Sequence, residues 1–106
     1  MESGDIGEIG ATLVTASLEA NGYRCRQNTQ LPGSTDIEAV GRTSGKKMLV
    51  QVKTALHPNT ASSLSTNEKS NITARADRLS ATAWLAQVQI NNQGKLIGKI
   101  RWTKLN

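Results

Sequence analysis

The sequence contains no phenylalanine, and its only aromatic residues are Tyr23, Trp84 and Trp102. Proteins that hold single-stranded nucleic acid commonly stack the bases on aromatic side chains that alternate with basic ones. The sequence does not show that alternation, which disfavours a platform for single strands. Among nucleic acids, duplex or branched DNA is the better match.

Cysteine and histidine are just as scarce. Cys25 is the only cysteine, so an internal disulfide or a cysteine-based zinc cluster is excluded. The single histidine, His57, stands beside Pro58 in a polar segment, where a surface residue is expected. No apolar run is long enough to span a bilayer and no leader is evident, so we expect a cytoplasmic protein without a membrane segment. A length of 106 residues predicts one domain, 1–106, with a modest core.

The charges are distributed unevenly along the chain. Residues 1–38 carry six acids and two bases, for a net charge of −4, whereas residues 39–106 carry eleven bases and two acids, for +9. A basic surface around an acidic pocket is what an enzyme acting on phosphodiesters needs. Alternatively, the lysines near the C-terminus only protect exposed edge strands from aggregation.

Hydrophobic periodicity predicts an α/β protein with the element order αβββαββ. The predicted helices cover residues 5–20 and 65–80, and in the second of them Ile72, Ala76 and Leu79 form the buried stripe. Ser65 and Glu68 have the spacing of a capping box at its start. The predicted strands are 23–28, 36–40, 48–52, 84–90 and 96–102. A loop is expected at 55–64 and a turn at 91–94.

The hairpin formed by strands 36–40 and 48–52 carries the candidate site. Side chains alternate between the faces of a strand, so Asp36 and Glu38 share one face, as do Gln51 and Lys53. If the two polar faces coincide, a carboxylate, an amide oxygen and an ammonium group meet on one patch of sheet. A divalent cation such as Mg²⁺ or Mn²⁺ prefers oxygen ligands, and a nearby lysine can steer water or neutralise phosphate charge. The pattern therefore predicts nuclease chemistry.

In their order and spacing, these segments resemble the PD-(D/E)XK nuclease superfamily, which has the restriction-endonuclease-like fold. Within it, the chain looks most like the archaeal-type Holliday junction resolvases. The similarity covers nearly the whole chain and is carried by segments 7–10, 22–26, 33–37, 51–53 and 83–86. Two positions depart from the family pattern: Thr35 replaces the usual proline and Gln51 the usual acid.

The resemblance implies an αβββαβ core, with a mixed central sheet flanked by helices, and an extra C-terminal strand. It also implies a metal-dependent endonuclease that acts on duplex or branched DNA, usually as a homodimer in which two sites cut two strands. The implied metal ligands are Asp36, Gln51, the Val52 backbone carbonyl and Glu8.

The resemblance also implies that Lys53 acts on the nucleophile and the phosphate, and that Ser34 lies beside the scissile phosphate. We add Arg42, Lys46 and Lys47 around the hairpin turn as further candidates for DNA contact.

Simpler explanations exist for each residue. Asp36 fits an ordinary turn, and Gln51 with Lys53 fits a solvated strand face. Glu8 has the position of a third helical residue after an N-cap at Asp5. Two other functions therefore remain open: a catalytically inactive nuclease-like domain that binds DNA or a protein, and a small structural interaction module.

Overall fold

A computed structural model describes the backbone of residues 3–31 and 34–106 and the side chains of residues 5–28 and 37–106. The helices are Ser3–Ala20 (α1) and Thr66–Leu79 (α2). The strands are Tyr23–Leu31 (β1), Ser34–Gly41 (β2), Lys47–Leu56 (β3), Thr82–Ile90 (β4) and Arg101–Lys104 (β5). They form one sheet in the order β1-β2-β3-β4-β5, in which only the β3–β4 pair is parallel. The α/β class, the mixed sheet and the element order are confirmed.

The two helices cover opposite faces of the sheet. On the α1 face, Val14 and Leu18 of the helix pack with Val50 and Val88 of the sheet. The smaller cluster on the α2 face joins Leu49, Ile72, Ala76 and Ala83. Four successive residues of β3, from position 49 to 52, are buried because both faces of this central strand are covered.

Helix α1 lies unusually close to β3 at one glycine. A Cβ atom on Gly10 would be 1.7 Å from the Oγ1 atom of Thr54, so a larger residue does not fit there without movement. The helix ends before Gly22, whose φ of +90° favours glycine. Because α1 already begins at Ser3, Asp5 lies within its first turn, and the interpretation of Asp5 as an N-cap is wrong.

Helix α2 begins with the predicted capping box. The Ser65 side chain accepts a hydrogen bond from the Glu68 N–H at 3.1 Å, and the Glu68 carboxylate accepts one from the Ser65 N–H at 3.0 Å. Ile72 and Ala76 are buried as predicted. Leu79 is 43% exposed, so its assignment to the buried stripe is wrong: it is the last helical residue and borders a surface depression beside Met48.

The C-terminal edge of the sheet differs from its prediction. The turn at 91–94 is present, but only an isolated bridge between Ile90 and Leu96 follows it. The chain then passes through Gly98, at a φ of +70°, before β5 begins at Arg101. Regular pairing resumes where Gln87 pairs with Arg101. Between the isolated bridge and this pair, the C-terminal segment contains two more residues than β4 does. The predicted strand 96–102 is therefore wrong in its first half.

Strand β5 is attached to β4 by the two tryptophans. Trp84 and Trp102 both pack against the core cluster on the α1 face, and their rings meet edge to face with centroids 6.4 Å apart.

The loop after β3 is shorter than predicted. Strand β3 continues to Leu56, so the loop begins at His57 rather than at residue 55. Within the described residues, neither helix has both the length and the apolarity needed to cross a membrane.

Candidate functional site

The parallel pair β3–β4 determines where the candidate site can form. Parallel neighbours need a crossover connection, and here α2 supplies it. A helix in such a crossover runs back along the strands, so its N-terminus lies near the C-terminal end of the first strand. The capped start of α2 is therefore close to Lys53, in the second half of β3.

Lys53 and Glu68 form an ion pair between sheet and helix. The Nζ atom of Lys53 is 2.7 Å from Oε2 of Glu68, and the two side chains are 19% and 36% exposed. The Oε1 atom of the same carboxylate accepts the Ser65 N–H of the capping box. The hydrogen bond from Lys53, followed by that from Ser65, holds the pKa of Glu68 below its ordinary value.

Gln51 lies two residues before Lys53 on the same strand and is 6% exposed. Its cross-strand partner on β2 is Asp36, and on β4 it is Leu85. The predicted register of the hairpin, with positions 36 and 51 directly opposite, is therefore present in the backbone. The side chains of Asp36 and Ser34 lie outside the described residues, so their contacts stay predictions.

Glu8 is placed elsewhere. It is exposed on α1, the helix that covers the sheet face opposite α2, and it borders a surface depression with Ile9 and Gly94. Neither Gln51 nor Lys53 lines that depression. Val52 has its backbone between β2 and β4, and its side chain is buried on the α1 face. The structure thus groups Lys53 with Glu68 and aligns Gln51 with position 36, but it does not group them with Glu8.

The candidate DNA-binding residues of the hairpin turn lie at the other end of β3. Arg42, Lys46 and Lys47 are exposed there. Lys47 precedes Lys53 by six residues, which is about 20 Å at about 3.3 Å per residue. On β2, the Glu38 carboxylate forms an ion pair with Arg26 and accepts a hydrogen bond from the Nε atom of Arg26 at 3.0 Å. That carboxylate is therefore already neutralised within the sheet.

The residue that sequence reasoning missed is Glu68. The capping-box spacing correctly predicted Glu68 at the third helical position of α2. Its carboxylate was interpreted only as part of the cap, so its contact with Lys53 was not predicted. The signal that points further is the crossover itself, because a helix joining two parallel strands brings its N-terminal turn to their C-terminal ends. A glutamate in that turn has the reach to contact a strand residue as well.

The donor atoms here are those that a hard divalent cation prefers. Glu68 offers a carboxylate and Gln51 an amide oxygen, while the acid of position 36 belongs to the undescribed side chains. Among the side chains that the structure does describe, no group of three acidic, histidine or cysteine residues could hold a metal ion. A metal site at this position therefore stays a prediction, because the described donors alone do not form one.

No protein-family model matches the sequence, and no curated protein is significantly similar to it.

Proposed function

We propose that the chain is a metal-dependent DNA endonuclease of the PD-(D/E)XK type, and that Glu68 replaces the acid missing at position 51. The observation that carries the proposal is the 2.7 Å contact between Lys53 and Glu68 beside Gln51. It brings a carboxylate to the lysine of the predicted motif from a helix instead of from the strand.

In this proposal, three residues bind the metal ion and Lys53 interacts with the phosphate. Asp36, Glu68 and the Gln51 amide oxygen would hold Mg²⁺ or Mn²⁺, which when bound lowers the pKa of a water molecule and polarises the phosphate. With Glu68 engaged by the cation, Lys53 would be available to donate hydrogen bonds to the phosphate or to the attacking water. Its positive charge offsets the charge that develops on the phosphate during attack.

Restriction-endonuclease-like topology is part of the proposal. The helix-flanked mixed sheet and the Asp36–Gln51 register support it. A homodimer is proposed with it, since two copies would supply the two sites needed to cut both strands of a branched DNA. Light scattering of the purified protein, alone and with a four-way junction, tests that point.

One observation favours a second candidate, a nuclease-like domain that binds DNA without cutting it. Lys53 is already neutralised by Glu68, and a neutral Gln51 weakens any metal site. Such a domain would retain DNA in EDTA and never nick it.

The deciding experiment is a cleavage assay on labelled linear, nicked, flapped and four-way DNA, with Mg²⁺, Mn²⁺ or EDTA. We expect metal-dependent cleavage of at least one substrate. Asp36→Asn, Glu68→Gln and Lys53→Ala should each reduce the rate by at least about 100-fold, since each removes a charge needed at the reacting phosphate. Binding in EDTA should survive the Asp36 change or strengthen slightly, because a repulsion of phosphate is lost.

Two acids outside the proposed site serve as matched controls. Glu38→Gln alters a carboxylate of β2 that Arg26 already neutralises, and Asp77→Asn alters an exposed acid near the end of α2. Both variants should cut at close to the wild-type rate. Full activity in Asp36→Asn would refute the mechanism.

A further inference from the structure

We propose that a cleft beside β5 binds the phosphate backbone of the DNA strand that passes over Lys53. The cleft has a volume of about 250 Å³ and lies between the loop segment 59–62 and the chain that leads into β5. This inference rests on the proposed function, because it extends the substrate path from the same site.

One wall of the cleft is held in place by two glutamines of β4. The side-chain amide of Gln87 donates to the backbone carbonyls of Ala61 and Ser62, at 3.2 and 3.1 Å. Gln89 donates in the same way to the carbonyl of Asn59, at 2.7 Å. The loop therefore keeps its position over the sheet without a ligand, which lowers the ordering cost of binding.

The other wall supplies positive charge. Lys99 and Arg101 line the cleft and are exposed. Within the described side chains, neither has an ion-pair or hydrogen-bond partner, in contrast to Arg26 and Lys53. Arginine offers a planar fork of donors that matches phosphate oxygens, and lysine adds a mobile charge. An anion entering the cleft would give both cations a partner.

The register aligns this charge with the candidate site. Lys53 pairs with Gln87 on β4, and Gln87 pairs with Arg101 on β5, so the three residues form one row across the α2 face. The two ends of the row are two strands apart, about 10 Å at about 4.8 Å per strand. That distance corresponds to about three base pairs along the axis of a DNA duplex, at about 3.4 Å each.

The lining favours backbone over bases. Among the described residues that line the cleft, none has an aromatic or acidic side chain, so none of them would stack a base or repel a phosphate by its charge. Thr60 adds a hydroxyl group, a neutral hydrogen-bond donor. The geometry points to sequence-independent contact with phosphates.

The test compares two double variants that remove the same charge. Lys99→Gln with Arg101→Gln empties the cleft of cations. The control, Lys95→Gln with Lys104→Gln, removes two exposed lysines that do not line the cleft. Lys104 belongs to the opposite face of the sheet, because it pairs with Trp84, whose ring packs on the α1 face. Binding of a fluorescent duplex and a four-way junction is measured in EDTA by anisotropy at 50 to 300 mM salt.

For the cleft variant, we expect affinity at about 100 mM salt to fall roughly 10-fold or more, and the log–log salt slope to decrease in magnitude by about two. The control variant should change much less. Equal losses in both variants would show that only net charge matters and would overturn the proposal. Displacement by polyglutamate as readily as by unlabelled DNA would assign the cleft to acidic polypeptides, and also overturn it.

The same protein samples separate this inference from the nuclease proposal. Cleavage by the wild type combined with equal binding losses would leave the endonuclease standing and remove the cleft. Selective loss of binding in the cleft variant, without cleavage under any metal condition, would support the cleft and remove the endonuclease. Circular dichroism of all variants checks that the exposed substitutions leave the fold intact.

Discussion

Glu68 serves two partners with one carboxylate, and that arrangement links acidity to folding. One oxygen accepts the Ser65 N–H at the start of α2, and the other accepts the Lys53 ammonium. Both bonds favour the charged form, so the pKa of Glu68 in the folded protein lies below its ordinary value of 4.5. Its contribution to stability is therefore complete above that ordinary value and is lost as the pH falls through the lower, folded value.

A pH series on one variant tests this link. Glu68→Gln should lower the free energy of unfolding at pH 7, and the difference from the wild type should shrink steadily as the pH falls below the ordinary glutamate pKa of 4.5. Urea unfolding at several pH values measures it, with Asp77→Asn as a control for loss of a negative charge on the same helix. A difference that is constant across the series would mean that the ion pair does not contribute in solution.

Gln51 offers a second residue-scale prediction, about metal affinity. If its amide oxygen is a ligand, Gln51→Glu adds a negative charge at the cation and should tighten Mg²⁺ binding by about tenfold or more, equivalent to about 1.4 kcal/mol. Titration calorimetry of the DNA-free protein measures this. Unchanged affinity in a folded variant would show that position 51 does not contact the metal.

The residues of the site were predictable to different extents. The alternation of β3 identified Lys53 and Gln51, because a strand has only two faces. Glu68 was not assigned to the site, since its contact with Lys53 depends on how α2 docks and not on any local pattern. Glu8 was included through family resemblance alone, and the structure places it on the helix of the opposite face.

At the scale of elements, Gly7 and Gly10 of α1 make a sharp comparison. Gly→Ala inside a helix normally stabilises a protein by about 0.5–1 kcal/mol. A Cβ on Gly7 meets no atom within 4 Å, so Gly7→Ala should raise the melting temperature. A Cβ on Gly10 would meet Thr54 at 1.7 Å, and Gly10→Ala should destabilise by about 1–3 kcal/mol despite the better helix propensity.

Thermal unfolding of the two variants measures the contrast. About 1 kcal/mol corresponds to roughly 4–8 °C in a domain of this size, so opposite shifts are easy to resolve. Equal stabilisation by both alanines would mean that α1 does not approach β3 at Gly10.

The prediction of elements failed where the chain leaves the regular sheet, at residues 97–100. Apolar residues continue through 96–102, so the periodicity gave no reason to shorten the last strand. Gly98 was the local clue, because a residue with positive φ interrupts regular pairing. Strand β4, predicted at 84–90, was recovered nearly in full. Strand β3 was predicted only at 48–52, around its buried stretch, because the less buried residues that follow up to Leu56 lack that apolar pattern.

For the whole molecule, the distribution of charge predicts salt-sensitive DNA binding. Lys46 and Lys47 were candidates because they lie at the hairpin turn, yet Lys47, the first residue of β3, is about 20 Å along the strand from Lys53 at about 3.3 Å per residue. Reversing both charges to Glu should reduce the log–log slope by about one for each residue that touches a phosphate. A DNA path confined to the row from Lys53 to Arg101 predicts a smaller change than neutralising Lys99 and Arg101. Anisotropy titrations over a salt series rank the two surfaces.

The edge-to-face tryptophans are an intrinsic spectroscopic probe of the C-terminal edge of the sheet. With no phenylalanine and a single tyrosine in the chain, Trp84 and Trp102 dominate its near-ultraviolet absorption and emission. One ring belongs to β4 and the other to β5, so their signal senses the attachment of the final strand. Lifting β5 away would separate two rings that now lie 6.4 Å apart and change the near-ultraviolet circular dichroism without any added dye. Detachment of β5 can therefore be followed spectroscopically in the unmodified chain.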